Sequence, residues 1–164
     1  MVRTIALLLV TLALGAGCSE LPVGGQSDDE ALAQISAIEG IEKVFIDAKG
    51  SYNGFQRETG TLVSVTLSPG FRVARMPVFA EYLLRLAWSV NVERPNRDLT
   101  FTLKNAPHSE FESAFRDAGW VPTLTGDTYV FIPPEVVREK LGPWPGPVPE
   151  TPAGMLVRDT QAVP

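Results

Sequence analysis

MPVFAEYLLRLAWSV, residues 76–90, is the stretch on which the fold turns. Phe79, Tyr82, Leu83, Leu86, Ala87 and Val90 recur at three- and four-residue spacing, which lines them along one face of a helix. Pro77 suits the first turn, where its missing N–H would have had no partner. A helix with so apolar a face needs an apolar surface to cover. The flanking sequence supplies one. TLVSVTL, residues 61–67, sets Val63, Val65 and Leu67 against Ser64 and Thr66, and DLTFTL, residues 98–103, alternates Leu99, Phe101 and Leu103. Period-two alternation is the mark of strands with one buried face.

Working outward, IEKVFIDA at residues 41–48 reads as another strand, with Val44, Ile46 and Ala48 on one face. TYVFI at 128–132 reads as a fourth, and its unbroken apolar run after Thr128 favours a central place in the sheet. Ser27-Asp-Asp-Glu30 fits the S-x-x-E capping box and opens a helix over 27–39, with Gly40 as its stop. The cap accounts for the acids Asp28, Asp29 and Glu30 without a calcium loop. Ser109-Glu-Phe-Glu112 is a second capping box, before Phe111, Ala114, Phe115 and Ala118. Pro133-Pro134 opens a last short helix, closed by Gly142. Residues 49–60 read as a long hairpin connection. Residues 143–164, PWPGPVPETPAGMLVRDTQAVP, hold six prolines in 22 positions and predict an extended, disordered tail.

The order α-β-β-α-β-α-β-α predicts an α+β fold, a two-layer sandwich with its helices on one face. With the last strand in the slot of a missing first one, it resembles a circularly permuted ferredoxin-like sandwich. The first five elements, residues 27–103, also resemble the αββαβ order of BON domains, small modules of bacterial envelope proteins.

The amino-terminal segment decides where the chain is expected to reside. Met1-Val-Arg3 precedes an apolar run from Ile5 to Leu14, and the small residues Gly15, Ala16 and Gly17 lead to Cys18, the only cysteine. As a helix, residues 5–17 would be roughly 20 Å long, short of the roughly 30 Å hydrocarbon core, so they read as a signal peptide and not a span. Leu14-Gly-Ala-Gly-Cys18 resembles the lipobox of bacterial lipoproteins, with Gly15 where that pattern favours leucine. The resemblance implies cleavage before Cys18 and a diacylglyceryl group on its sulfur, hence a membrane anchor on the extracytoplasmic face. The organisation predicted is a signal peptide at 1–17, a tether at 18–26, the sandwich at 27–142 and the tail at 143–164.

Removal of residues 1–17 takes the net charge from −5 to −6, because Arg3 leaves with them. An acidic chain has no electrostatic attraction for nucleic acid, which excludes that partner. With Cys18 acylated there is no thiol for a disulfide, a metal or catalysis. The lone His108 lacks further ligands at metal spacing and a catalytic partner that could face it. No cofactor and no metal are expected. Trp88 and Trp120 read as core. Arg72 with Arg75, and Arg94 with Arg97, lie at opposite ends of the central helix, roughly 24 Å apart, and form no single patch.

Three aromatics fall outside any core pattern. Tyr52 and Phe55 sit among glycines and an asparagine, and Trp144 lies in the proline-rich tail. Exposed aromatics with adaptable polar neighbours make contact surfaces, so these three are the candidate sites for a protein or cell-wall partner. The expectation is a non-catalytic, membrane-anchored binding module. The rival is a small extracytoplasmic hydrolase working through Asp47, Glu58 or Asp98.

Overall fold

The central apolar helix forms and is covered on more than one side. In the computed structural model residues 24–125 and 128–159 are described, the side chains of 124 and 125 excepted. The elements are α1 (Asp28–Ser36), β1 (Ile41–Asp47), β2 (Ser51–Asn53), β3 (Gln56–Glu58), β4 (Leu62–Leu67), β5 (Phe71–Val73), α2 (Met76–Ser89), β6 (Leu99–Lys104), α3 (His108–Asp117), β7 (Leu124–Thr125), β8 (Val130–Ile132), α4 (Pro134–Leu141) and β9 (Leu156–Arg158). The signal peptide, Cys18 and most of the tether expected at 18–26 lie outside the described residues.

A five-stranded mixed sheet in the order β1-β4-β6-β8-β7 forms one layer. β1 runs antiparallel to β4, β4 parallel to β6 across the α2 crossover, and β8 antiparallel to both β6 and β7. α1, α2 and α3 cover one face, giving the α+β layering expected. Val63, Val65, Leu67, Leu99, Phe101, Val130 and Ile132 are buried beneath them, and Phe101, Phe115 and Phe111 stack at centroid distances of 5.1 and 5.2 Å. β8 has a strand on each side, as its apolar run requires. A permuted ferredoxin-like connectivity would place that strand between β4 and β6; instead β4 and β6 pair directly and β8 lies outside them.

The first capping box forms. Ser27 Oγ accepts the Glu30 N–H at 3.2 Å, and Glu30 accepts the Ser27 N–H at 2.8 Å, which holds the Glu30 carboxyl below its ordinary value. The second does not form: α3 starts at His108, two residues before the start a Ser109 cap would give, and its cap position is Pro107, which carries no side-chain acceptor. The preceding Pro107 fixes a φ of −63° that leads into the helix before Ser109 can cap it. His108 lies half-buried, with its Nε2 enclosed and unpaired.

The tail expected to be disordered packs onto the domain over its described residues, 143–159. Residues 143–158 run back along α2 as a strap. Trp144 is half-buried against the core, not displayed for a partner, and its Nε1 donates to the Val90 carbonyl at 3.1 Å. The Gly146 N–H donates to the Trp88 carbonyl at 3.0 Å, the Pro149 carbonyl accepts from Gln34 at 2.6 Å, and Thr151 meets the Tyr82 hydroxyl at 3.3 Å. Burial beneath the strap pushes the Tyr82 phenol pKa up. Met155 is fully buried, Arg75 reaches the Ala153 carbonyl, and β9 pairs antiparallel with β5. The physical reason lies in α2. Trp88 lies off the sheet-facing stripe and Tyr82 at its margin, and the strap covers both, with Gly146 against the Trp88 ring and Thr151 at the Tyr82 hydroxyl, while Glu81 and Arg85 keep the remaining side of the helix polar. Proline is no obstacle, because a strap that makes few ladder bonds needs few N–H donors.

The other end of the supposed linker is docked as well. Gln26 bridges to Val90, with its N–H on the Ser89 carbonyl at 2.8 Å and its side chain on Ser89 Oγ at 2.8 Å. Among the described residues, 24–26 and 143–159 therefore pack with the domain, beyond the 27–142 expected.

Candidate functional site

Residues 49–60 form their own hairpin. β2 and β3 pair from Ser51–Glu58 to Asn53–Gln56, leaving Gly54 and Phe55 as a two-residue connection. Gly54 has φ +63°, the backbone region a tight turn of this kind demands at its first central residue and that side-chain-bearing residues rarely adopt. Because the backbone groups satisfy each other, the side chains are free to point outward. Phe55 at the tip is fully exposed and Tyr52 is 70 % exposed, so both residues singled out in the sequence stand in solvent.

The base of the hairpin is held by the segment 93–97. Glu93 pairs with Arg57, whose Nη2 lies 2.8 Å from Oε2, and the same carboxylate accepts the Gly50 N–H at 3.2 Å. The Arg57 hydrogen bond is the main reason the Glu93 carboxyl sits below its ordinary pKa, and the Arg57 guanidinium is held protonated in turn. That guanidinium also lies 5.1 Å from the centroid of the Tyr52 ring. Asn96 bridges the two sides, accepting from the Thr59 N–H at 2.8 Å and donating to the Arg57 carbonyl at 2.9 Å. Thr59 Oγ1 donates to the Arg94 carbonyl at 2.6 Å. A fixed base thus carries a bare aromatic tip.

The uncovered face of the sheet is a second surface. Strand registers set its residues in rows: Lys43, Thr66 and Lys104; then Phe45, Ser64 and Thr102; then Asp47, Leu62, Thr100 and Phe131. Phe45 and Tyr129 are exposed, and a depression of about 290 Å³ lies between the lysine row and Tyr129. The sequence pattern could have shown this face, because Phe45 falls on the polar side of its strand, between Lys43 and Asp47.

The three acids considered for hydrolysis do come together. Asp47, Glu58 and Asp98 line one open cleft of about 270 Å³ with Lys49 and Arg97. Each is already engaged: Glu58 with Arg97 at 2.9 Å and Asn53 at 3.2 Å, Asp98 with the Thr123 hydroxyl at 3.2 Å, and Asp47 with the Lys49 N–H at 3.1 Å. Among the described residues no three His, Cys, Asp or Glu side chains are grouped to hold a metal, and no helix is long and apolar enough to cross a membrane. Of the arginine pairs, Arg97 serves Glu58 and Arg75 serves the strap, which leaves neither pair as a joint anion site. Trp88 and Trp120 are buried, as expected.

No protein-family model, no curated protein and no solved structure matches this chain.

Proposed function

We propose that the chain is a lipid-anchored protein of the bacterial cell envelope, acylated at Cys18 and held on the extracytoplasmic face of the membrane, that acts as a non-catalytic binding module for a protein or cell-wall component. The observation that carries the reading is the braced hairpin with Phe55 wholly in solvent at its tip. An aromatic displayed on a braced loop among adaptable polar neighbours is suited to contact with another molecule. The lipobox-like LGAGC supplies the anchor, and the order α1, β1, β4, α2, β6 supports a kinship with BON-like envelope modules. Trp144 is withdrawn as a contact residue, since the core and Val90 already occupy it.

Two measurements test this. Mass spectrometry of the mature amino-terminal peptide should show a chain that begins at an acylated Cys18; an unmodified cysteine ends the anchor assignment. A photo-crosslinking residue at position 55 in intact cells should capture envelope components, whereas one at the exposed Val121 should capture few; equal yields would remove the hairpin as the contact site.

A second reading rests on the shared cleft of Asp47, Glu58 and Asp98, which is the arrangement a carboxylate hydrolase would need. Purified protein that releases soluble fragments from isolated cell wall, and loses this ability on Asp98→Asn, would establish it. No release by the unaltered protein would dismiss it.

A further inference from the structure

The two ends of the proposed arrangement, lipid anchor and aromatic hairpin, emerge from the same part of the molecule. The Gly24 carbonyl accepts from Asn91 Nδ2 at 2.9 Å, and the Asn91 N–H donates to the Gln26 carbonyl at 2.8 Å, so the chain coming from Cys18 joins the domain just past the C-terminus of α2. Two residues further on, Glu93 grips Arg57 of β3 and the Gly50 N–H at the hairpin base. From there Phe55 is two residues up the strand. Six chain steps separate Cys18 from Gly24, and at most about 3.3–3.6 Å each they span no more than roughly 20 Å whatever their conformation. Cys18 therefore lies within roughly 20 Å of the point where Gly24 joins the domain, on the side of the molecule that carries the hairpin base.

We infer that the envelope component this hairpin meets is the bilayer itself, in place of the protein or cell-wall contact proposed above, with Phe55 entering the interfacial zone and Tyr52 lying at its polar boundary. The inference rests on the anchor reading, because the lipid on Cys18 is what brings this end of the molecule to the membrane. The chemistry of the tip fits a lipid surface. Phe55 has no polar group to satisfy, and Tyr52 is an amphipathic ring of the kind enriched at headgroup depth. Lys49 is exposed at the base of the hairpin, Arg57 is already neutralised by Glu93, and exposed Val92 adds apolar surface beside the base. An interfacial element needs to enter only about 5–10 Å, which a two-residue turn with a phenyl ring achieves. The braced base matters here, because a fixed hairpin loses little conformational freedom on insertion. One anchoring signal is then reinforced by a second, and the domain is held in one orientation with respect to the membrane.

The test uses the full mature chain, purified from membranes and reconstituted into vesicles of phosphatidylethanolamine and phosphatidylglycerol containing a phosphatidylcholine brominated in mid-chain. Phe55→Trp places a fluorophore at a position where the folded domain has no contact to disturb, and subtraction of the unaltered protein's spectrum removes the three native tryptophans. The added tryptophan should shift to the blue and lose intensity with the brominated lipid. If aqueous iodide quenches it as strongly as free tryptophan while brominated lipid does not, the tip stays in water, is left for a protein partner, and the inference falls. The mass of the amino-terminal peptide separates this from the anchor reading. An acylated Cys18 with a water-exposed position 55 overturns the inference alone. An unmodified Cys18 with bromine quenching overturns the anchor and leaves the hairpin as a lipid-binding element.

Discussion

The strap at 143–158 and the hairpin at 49–60 look alike in sequence, each a glycine-containing segment with aromatics and no helical or strand period, yet they end in opposite environments. The strap brings Trp144 and Met155 down onto the core and sends its polar groups to α1 and α2. The hairpin pairs its backbone with itself and turns Tyr52 and Phe55 out to solvent. The difference lies in where the hydrogen bonds go. A segment in which five of sixteen residues are proline has fewer donors to satisfy and can lie flat on an apolar surface, whereas a self-paired ribbon gains nothing by folding back. Proline density is thus a statement about hydrogen-bonding capacity, and it becomes a statement about disorder only when no bare apolar surface is nearby.

That contrast breaks most visibly at the strap. A chain that stops after Gly142 exposes Tyr82, Trp88 and the groove between α1 and α2, and loses the β5–β9 pairing. Met155→Ala alone should cost ~2–5 kcal/mol, the range for deleting a buried methionine side chain, so removal of the whole strap should consume most of a stability of roughly 5–15 kcal/mol. Urea unfolding followed by circular dichroism should show a lowered midpoint for Met155→Ala and no cooperative transition for the truncated chain. A truncated chain with an unchanged midpoint would return the segment to the status of a passive tail.

The sheet, the central helix and the first cap were legible because each rests on a local signal: period-two alternation at residues 61–67 and 98–103, the 3.6-residue period of α2, and the reciprocal bonds of Ser27 and Glu30. The strap was not, because its structure comes from long-range contacts between residues some 50 to 115 positions apart, such as Trp144 with Val90 and Pro149 with Gln34. A clue existed in Trp88, an apolar residue on the side of α2 that no strand could reach. The hairpin's turn was legible in Gly54, since glycine suits the first central position of a two-residue loop, but the long connection concealed it. Of the site, Tyr52 and Phe55 were identified as exposed because no pattern claimed them. Phe45 was missed because it sits in a strand whose other face is core, and Tyr129 because it directly precedes one.

A smaller effect is expected at the hairpin base. Glu93→Gln removes the charge that pairs with Arg57 and weakens the acceptor of the Gly50 N–H. The folded domain should survive, because Arg57 is exposed, Glu93 is only half-buried, and solvent-accessible pairs of this kind contribute little to global stability. The change should appear locally, as amide exchange at Gly50 that quickens by up to about tenfold while core amides stay protected. Acid should do the same to the unaltered protein. The Glu93 carboxyl binds its proton less readily when folded than when unfolded, so its bracing is fully present above the ordinary carboxylate value near 4.3. It is lost as pH falls through the lowered folded value. Exchange at Gly50 that ignores both the substitution and the acid would mean the ribbon holds its shape without Glu93.

The smallest effect on stability belongs to the residues given the largest functional role. Tyr52→Ser with Phe55→Ser should leave the urea midpoint within the ±0.5 kcal/mol usual for surface changes, because Phe55 touches nothing in the fold and Tyr52 gives up only its contact with Arg57. Apolar-to-polar exchange at such positions can even raise the midpoint slightly by removing exposed apolar surface. A loss of 2 kcal/mol or more, the scale of a core truncation, would mean that the ring of Tyr52 or Phe55 is folded back over the domain. In that case the hairpin and the strap would be two versions of one device for covering the core. Near-silence in stability together with loss of crosslinking at the tip is what distinguishes a surface kept for contact from one kept for folding.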